Sequence, residues 1–317
     1  MSAMQTRPEL LTLFAGTFGV LLVASIAGFL LHHYVAHGAP HRAIDSFRER
    51  IGWWWVMVVL LGLAFTLGKV GVVVLFWFVS FLALREFVSL TYTRRSDHWA
   101  LAAVFFFFLP AQYLLVARGW YGLWAVFIPV YAFLTLPIFA AMSADTTRFF
   151  ERTAKLYSAL MICVYCISCV PALMTLRIAG FEGGNLLLIA WLVLTVQSSD
   201  VLQYLWGELY GRTVLAPALS STKTVEGVVG GIFGATIVGT ALAWLTPFSL
   251  VQAAGMALVV NLLGFFGSLV MSAIKRDRGV MEWGTSFEGR RGILERLDSV
   301  IFAAPVYYHL IRYGWQA

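Results

Sequence analysis

Apolar runs long enough to cross a bilayer recur along the whole chain, at about 10–31, 51–68, 70–90, 99–117, 121–142, 156–176, 185–206, 225–245, 248–273 and 297–313. Polar and charged residues gather between the runs. No run alternates with a period of two, so a β-barrel is not the pattern. A helix satisfies its own backbone hydrogen bonds inside lipid, which predicts an all-α, polytopic integral membrane protein of about eight to ten transmembrane helices. The last run is the shortest and carries Asp298. Composition agrees: 60% of the 317 residues are apolar and 12% charged, which excludes a water-soluble globule.

Charge adds orientation. With the N-terminus outside and ten spans, the inward loops hold sixteen of the 22 Lys and Arg residues. Arg7, Lys69, Arg118, Arg177 and Arg312 fall outside, and Arg85 lies within a span. That bias predicts a multi-pass protein of the cell's inner (cytoplasmic) membrane with loops 207–224 and 274–296 facing the cytoplasm. The net charge of +6 therefore reads as topology and contact with lipid headgroups. No basic stretch interleaved with aromatics points to nucleic acid. Segment 39–50, APHRAIDSFRER, has apolar residues between basic ones and is expected at the membrane interface. The organisation expected is an N-terminal transmembrane bundle over 1–180, which includes that segment, and a catalytic transmembrane region over 181–317. No cleavable signal peptide is apparent.

Cysteine and histidine change little. Cys163, Cys166 and Cys169 share one apolar run without a second pair or a nearby His, so they read as packing inside a helix. His32, His33, His37 and His41 follow the first run, where a belt at headgroup depth suits them better than a metal site.

The acidic residues are uneven. Eight of the sixteen lie between Asp200 and Asp298, several at the edge of a span, where an ionisable group is costly and marks candidate function. Asp200, Tyr204 and Glu208 fall on one helical face. Hydroxyl residues precede Lys223, and a helix starts near Thr224; together they suit a phosphate cradle that is not a Walker A motif. Gly227, Gly230 and Gly231 read as close helix packing. Further on, Ser268 and Ser272 share a helix face, Lys275 and Arg276 follow, and Glu295 and Asp298 are spaced to face one cation.

The order and spacing of these motifs over about the last 120 residues resemble the phosphatidate cytidylyltransferases (CDP-diacylglycerol synthases). The matching positions are Asp200, Tyr204, Gly207, Gly211 and Arg212, then Ser220 with Lys223–Gly227. They continue through Ser272, Lys275, Arg276, Asp277, Gly279 and Val280 to Arg296, Asp298 and Ser299. The resemblance implies attack of a lipid phosphate on the α-phosphate of CTP, with pyrophosphate leaving. It implies Mg²⁺ as cofactor, with room for a second, monovalent cation. Candidate metal ligands are Asp298, Glu295, Asp200 and, at a position where the family reads Asp, Ser268. Candidate catalytic residues are Asp200, Lys223, Glu226, Lys275, Arg276 and Asp298. Substrate binding would fall to Tyr204, Arg212, Ser220, Thr224, Ser272, Arg290, Arg291 and Arg296. Implied partners are CTP, phosphatidic acid or a related lipid phosphate, membrane lipids, and a second copy in a homodimer, with no nucleic acid.

The chain also departs from the family pattern. G-D becomes Gly267-Ser268, K-D becomes Met281-Glu282, and P-G-H-G-G-x-x-D-R becomes the stretch 288–296 with Arg290, Arg291 and Glu295. One carboxylate is lost, one is lengthened, and two positive charges are gained. These changes keep a second reading open: a divergent relative with another lipid substrate or without transfer activity, acting as a lipid-binding protein. A transporter of an anionic solute is a third. It would call for inverted repeats and charges at the midplane, and neither is seen in the sequence.

Overall fold

The computed structural model describes residues 8–35, 42–90, 94–280, 283 and 292–316. The helices are α1 (Pro8–Tyr34), α2 (Arg42–Thr66), α3 (Gly68–Leu90), α4 (His98–Arg118), α5 (Tyr121–Ala141) and α6 (Phe149–Thr175). After these come α7 (Asn185–Tyr210), α8 (Val225–Ala241), α9 (Leu250–Asp277) and α10 (Ile293–Trp315). Among the described residues, seven helices are long and apolar enough to cross a membrane: α1, α3, α4, α5, α6, α7 and α9. Two further apolar stretches, Ile51–Thr66 and Val225–Ala241, are shorter. The protein is an all-α polytopic membrane protein. Residues 42–50 continue into the apolar stretch Ile51–Thr66 as one helix, so that stretch of the expected interfacial segment is the start of α2; residues 39–41 lie outside the described residues.

The contacts divide the chain into two compact units, Met1–Leu75 and Phe76–Ala317. In the first, α1 and α2 pack side by side through Phe18 against Trp55 and Phe14 against Phe65, with Trp55 Nε1 donating to Ser25 Oγ at 3.0 Å.

The second unit carries the polar cluster. Its interior is dominated by large side chains that expose almost nothing, among them Trp124, Trp191, Tyr307 and Tyr308. Buried polar groups in such a core need partners. Trp191 Nε1 donates to the Gly239 carbonyl at 2.9 Å, Gln112 Nε2 donates to Ser168 Oγ at 3.0 Å, and Tyr113 Oη donates to the Phe76 carbonyl at 2.9 Å. Cys163, Cys166 and Cys169 are free thiols packed in α6. On α8, Val229, Phe233 and Ile237 recur every four residues and stay exposed, as a lipid-facing stripe does.

Glycine sets how closely α7 and α8 meet. A Cβ on Gly231 would stand 2.5 Å from the Gln203 backbone nitrogen, and one on Gly227 would stand 2.8 Å from the Gln203 carbonyl oxygen. Small residues bring the two backbones together, in line with the packing read from the sequence. The chain between these helices forms a two-stranded antiparallel hairpin, β1 (Val214–Ala216) and β2 (Ser220–Thr224), which the sequence reading did not foresee. Strands of three and five residues are too short to show a period of two.

Candidate active site

Five pieces meet at one end of the second unit: the last turns of α7 and α9, the hairpin, the first turn of α8 and the first two turns of α10. Each is held there by identifiable contacts. Thr224 ends β2 and caps α8, its Oγ1 accepting from Gly227 N at 3.2 Å. Glu226 Oε2 accepts the backbone N–H groups of Arg212 (3.0 Å) and Thr213 (3.2 Å). Glu226 thus clamps the entry of the hairpin, whereas the sequence reading counted it among the catalytic groups. Arg276 reaches from α9 to the Leu219 carbonyl with Nε and to the Val280 carbonyl with Nη1, both at 3.2 Å, so it ties the hairpin turn to the chain just after α9.

Inside this frame, Ser299 lies between two carboxylates. Its hydroxyl donates to Asp200 Oδ1 at 2.9 Å, and its backbone N–H donates to Asp298 Oδ1 at 2.8 Å. Gly264 of α9 makes room for it: a Cβ there would come within 3.3 Å of the Ser299 Cβ. Lys223 enters from β2. Its ammonium donates to Ser268 Oγ and lies 5.4 Å from the centre of the Phe265 ring. Burial lowers the Lys223 pKa from the ordinary lysine value, while the carboxylates of Asp298 and Asp200 act in the opposite direction and Lys275 adds to the lowering.

Lys275 has its own partner. Its Nζ sits 3.1 Å from Glu295 Oε1 in a mostly buried ion pair. The structure therefore brings Asp200 and Asp298 together around Ser299 and turns one Glu295 oxygen toward Lys275; Glu295 Oε2 is buried without a hydrogen-bond partner among the described residues. No group of three His, Cys, Asp or Glu side chains able to hold a metal occurs among the described residues.

The remaining candidates are spread around this centre. Tyr204 is half-buried on α7, one turn beyond Asp200, and Glu208 and Arg212 are exposed. Ser220 Oγ pairs with Thr222 Oγ1 at 3.3 Å in β2. Ser272 Oγ donates back to the Ser268 carbonyl at 2.7 Å, and the Arg296 carbonyl accepts from Gln197 Nε2 at 3.1 Å. Arg290 and Arg291 lie outside the described residues. Two contributors were missed from the sequence: Ser299 as a bridge, and Glu86, whose carboxylate accepts from the first N–H groups of α10. A glutamate inside the apolar run 70–90 was the available signal for the second.

Comparison with known proteins gives the family. The cytidylyltransferase family matches residues 48–314. The uncharacterized protein YnbB of Escherichia coli (strain K12) is 33% identical over 302 residues, covering 94% of this chain and 97% of that protein. A phosphatidate cytidylyltransferase of Bacillus subtilis (strain 168) is 29% identical over 213 residues, covering 67% of this chain and 76% of that protein. One from Staphylococcus aureus (strain COL) is 37% identical over 127 residues, 39% of this chain, and the match spans about half (48%) of that protein. With a match running from the second helix almost to the last residue, the chain belongs to the cytidylyltransferase family.

Proposed function

We propose that the protein transfers a cytidylyl group from CTP to phosphatidic acid, or to a related lipid phosphate, giving CDP-diacylglycerol and pyrophosphate. The observation that carries this reading is the convergence of Asp200, Ser299 and Asp298 beside Lys223, at one end of a membrane bundle whose family is nucleotidyl transfer. In the reaction an oxygen of the lipid phosphate forms a bond to the α-phosphorus of CTP, and the α–β bridging P–O bond breaks as pyrophosphate leaves. Two polyanions must approach, so most of the catalysis is positioning and charge neutralisation. Lys223 stands beside the carboxylate pair to meet a phosphate. Lys275 and Arg276 lie within the same end of α9, Lys275 oriented by Glu295 and Arg276 by the hairpin turn. The catalytic region assigned to 181–317 contains all of these groups.

The donor set suits Mg²⁺. That ion is bound through one or two carboxylates and completes its shell with water and substrate phosphates, and Asp200 and Asp298 supply such a pair. When bound, Mg²⁺ would neutralise phosphate charge. The excess of basic residues in the same set of loops supports a site on the cytoplasmic face of the inner membrane, where CTP is available.

A second reading, a changed lipid substrate or lost transfer, is favoured by one feature: Lys223 meets the neutral hydroxyl of Ser268 at a position where the resembled family carries a carboxylate. One experiment tests both. The full-length protein, purified in detergent, is given α-labelled CTP, Mg²⁺ and phosphatidic acid. Labelled CDP-diacylglycerol supports the first reading. No labelled lipid at any Mg²⁺ concentration overturns it in favour of the second.

A further inference from the structure

We propose that Glu86 is a positioning residue for the end of α10 that bears Asp298 and Ser299. Glu86 sits near the end of α3 and is 3% exposed. Its two oxygens accept successive helix N–H groups, Oε1 from Ile293 and Oε2 from Leu294, each at 3.0 Å. The first N–H groups of a helix lack partners within it, and Gly292, at the cap position of α10, has no side chain to serve them. A carboxylate from another helix takes that role, favoured by the positive end of the helix dipole. The fit leaves no spare room: a Cβ on Gly292 would stand 2.8 Å from Glu86 Oε2 and 2.1 Å from the Trp283 carbonyl oxygen.

The neighbouring residue reinforces the hold. Phe87 stacks on Trp283, ring centroids 5.5 Å apart and planes at 21°, and both rings are buried. Consecutive residues of α3 thereby fix Trp283 and the first turn of α10. Glu295 follows Leu294 directly, and Asp298 and Ser299 lie one turn further on. A carboxylate 207 positions away in sequence from Ile293 thus sets where Asp298 and Ser299 meet Asp200. A misplacement of about 1 Å at a reacting centre is enough to lose on the order of 100-fold in rate.

The test uses the full-length protein in detergent with Glu86→Ala and Glu86→Gln. Amide hydrogen exchange is followed in peptides covering 292–300 and, as a reference, 225–241. The expected result is exchange roughly 10- to 100-fold faster at 293–297 in Glu86→Ala, a smaller acceleration in Glu86→Gln, which keeps one acceptor oxygen, and no change at 225–241. CTP turnover supplies the second readout and rests on the cytidylyl-transfer reading. There kcat is expected to fall in Glu86→Gln while KM for CTP stays within about threefold, because Lys223, Lys275 and Arg276 belong to β2 and α9. Unchanged exchange at 292–300, equal acceleration at 225–241, or full kcat despite faster exchange would each overturn the proposal. Should the parent make no CDP-lipid, the functional reading falls, and the exchange result still decides whether Glu86 holds α10.

Discussion

The Ser299 hydroxyl donates to Asp200 across 2.9 Å, joining the first turns of the last helix to a helix 99 positions earlier. The same residue donates its backbone N–H to Asp298 at 2.8 Å. Two carboxylates that would otherwise repel are therefore held by one small residue, 1% exposed, without a bulky side chain between them. Ser299→Ala is expected to lower cytidylyl transfer roughly 10- to 100-fold, the range for losing a hydrogen bond to a charged group. Asp298→Asn, which removes a charge instead of a donor, is expected to cost about 100-fold or more. Initial rates with labelled CTP at equal expression check both. A faster Asp298→Asn than Ser299→Ala would reverse the assigned importance.

A second polar cluster ties α4 to α6. Arg152 is 3% exposed; its Nε lies 3.3 Å from Asp97 Oδ1 and its Nη1 lies 2.8 Å from Asp145 Oδ2. Hydrogen bonds from the Thr147 backbone and side chain, then from Ser96 and Arg152, hold the Asp145 pKa well below the ordinary carboxylate value. A carboxylate with a depressed folded pKa adds stability that is present above its unfolded value, near 4, and is lost as pH falls toward the folded one. Thermal unfolding from pH 6 to 3 should therefore show a loss on the acid side that is smaller in Asp145→Asn. Arg152→Ala leaves Asp97 buried without its partner and is expected to cost about 3–5 kcal/mol at neutral pH.

The close approach of α7 and α8 gives a packing test. Gly231→Val places a branched side chain where a Cβ alone would stand 2.5 Å from backbone, so a helix must shift. Loss of about 1–3 kcal/mol is expected. Gly255→Ala, where nothing stands within 4 Å, should leave the unfolding temperature unchanged. Similar melting of the two variants would refute the packing argument.

Spans were legible in the sequence because lipid demands long apolar runs, and the helices α3 to α10 fall where those runs lie. The hairpin was not, since strands of three and five residues with polar composition carry no periodic signal. Charge at the edge of apolar runs drew attention to Asp200, Lys275, Glu295 and Asp298, which the fold brings to one end of the second unit. Spacing alone could not say which of them meet: Glu295 and Asp298 lie on one face, but the Lys275 ammonium draws Glu295 aside. Nor could it reveal that Glu226 is spent on the Arg212 and Thr213 amides, because that clamp depends on the hairpin. Glu86 was passed over because its partners are backbone N–H groups some 207 residues later, which no local pattern encodes.

The charge count predicts a topology that labelling can check. Asp277→Cys, at the end of α9, should be shielded from an impermeant thiol reagent in intact cells and react after permeabilisation. Glu182→Cys, in the turn before α7, should react in intact cells. The native Cys163, Cys166 and Cys169 are packed in α6 and contribute little background. Reversed labelling would place the candidate site on the outer face and remove its access to cytosolic CTP.

Ser268 decides how this chain manages charge. It accepts from the Lys223 ammonium and donates to the Phe265 carbonyl at 2.8 Å, so its hydroxyl serves as a neutral link. Serine offers a neutral oxygen where an aspartate would offer a negative charge, and Mg²⁺ affinity rises with the number of carboxylates. The parent is therefore expected to need high Mg²⁺ for any cytidylyl transfer. Ser268→Asp introduces a carboxylate at the Lys223 ammonium, which itself feels the charges of Asp298 and Asp200. It should lower the Mg²⁺ concentration for half-maximal rate, and the same carboxylate should favour the charged form of Lys223. Lys223→Ala in the parent removes the cation beside the carboxylate pair and should weaken phosphate use by about 1.5–3 kcal/mol, the range for hydrogen bonds to charged groups. Titrations of rate against Mg²⁺ in the three proteins check this. An unchanged midpoint in Ser268→Asp would mean that the metal sits away from residue 268, and unchanged CTP kinetics in Lys223→Ala would remove that lysine from the site.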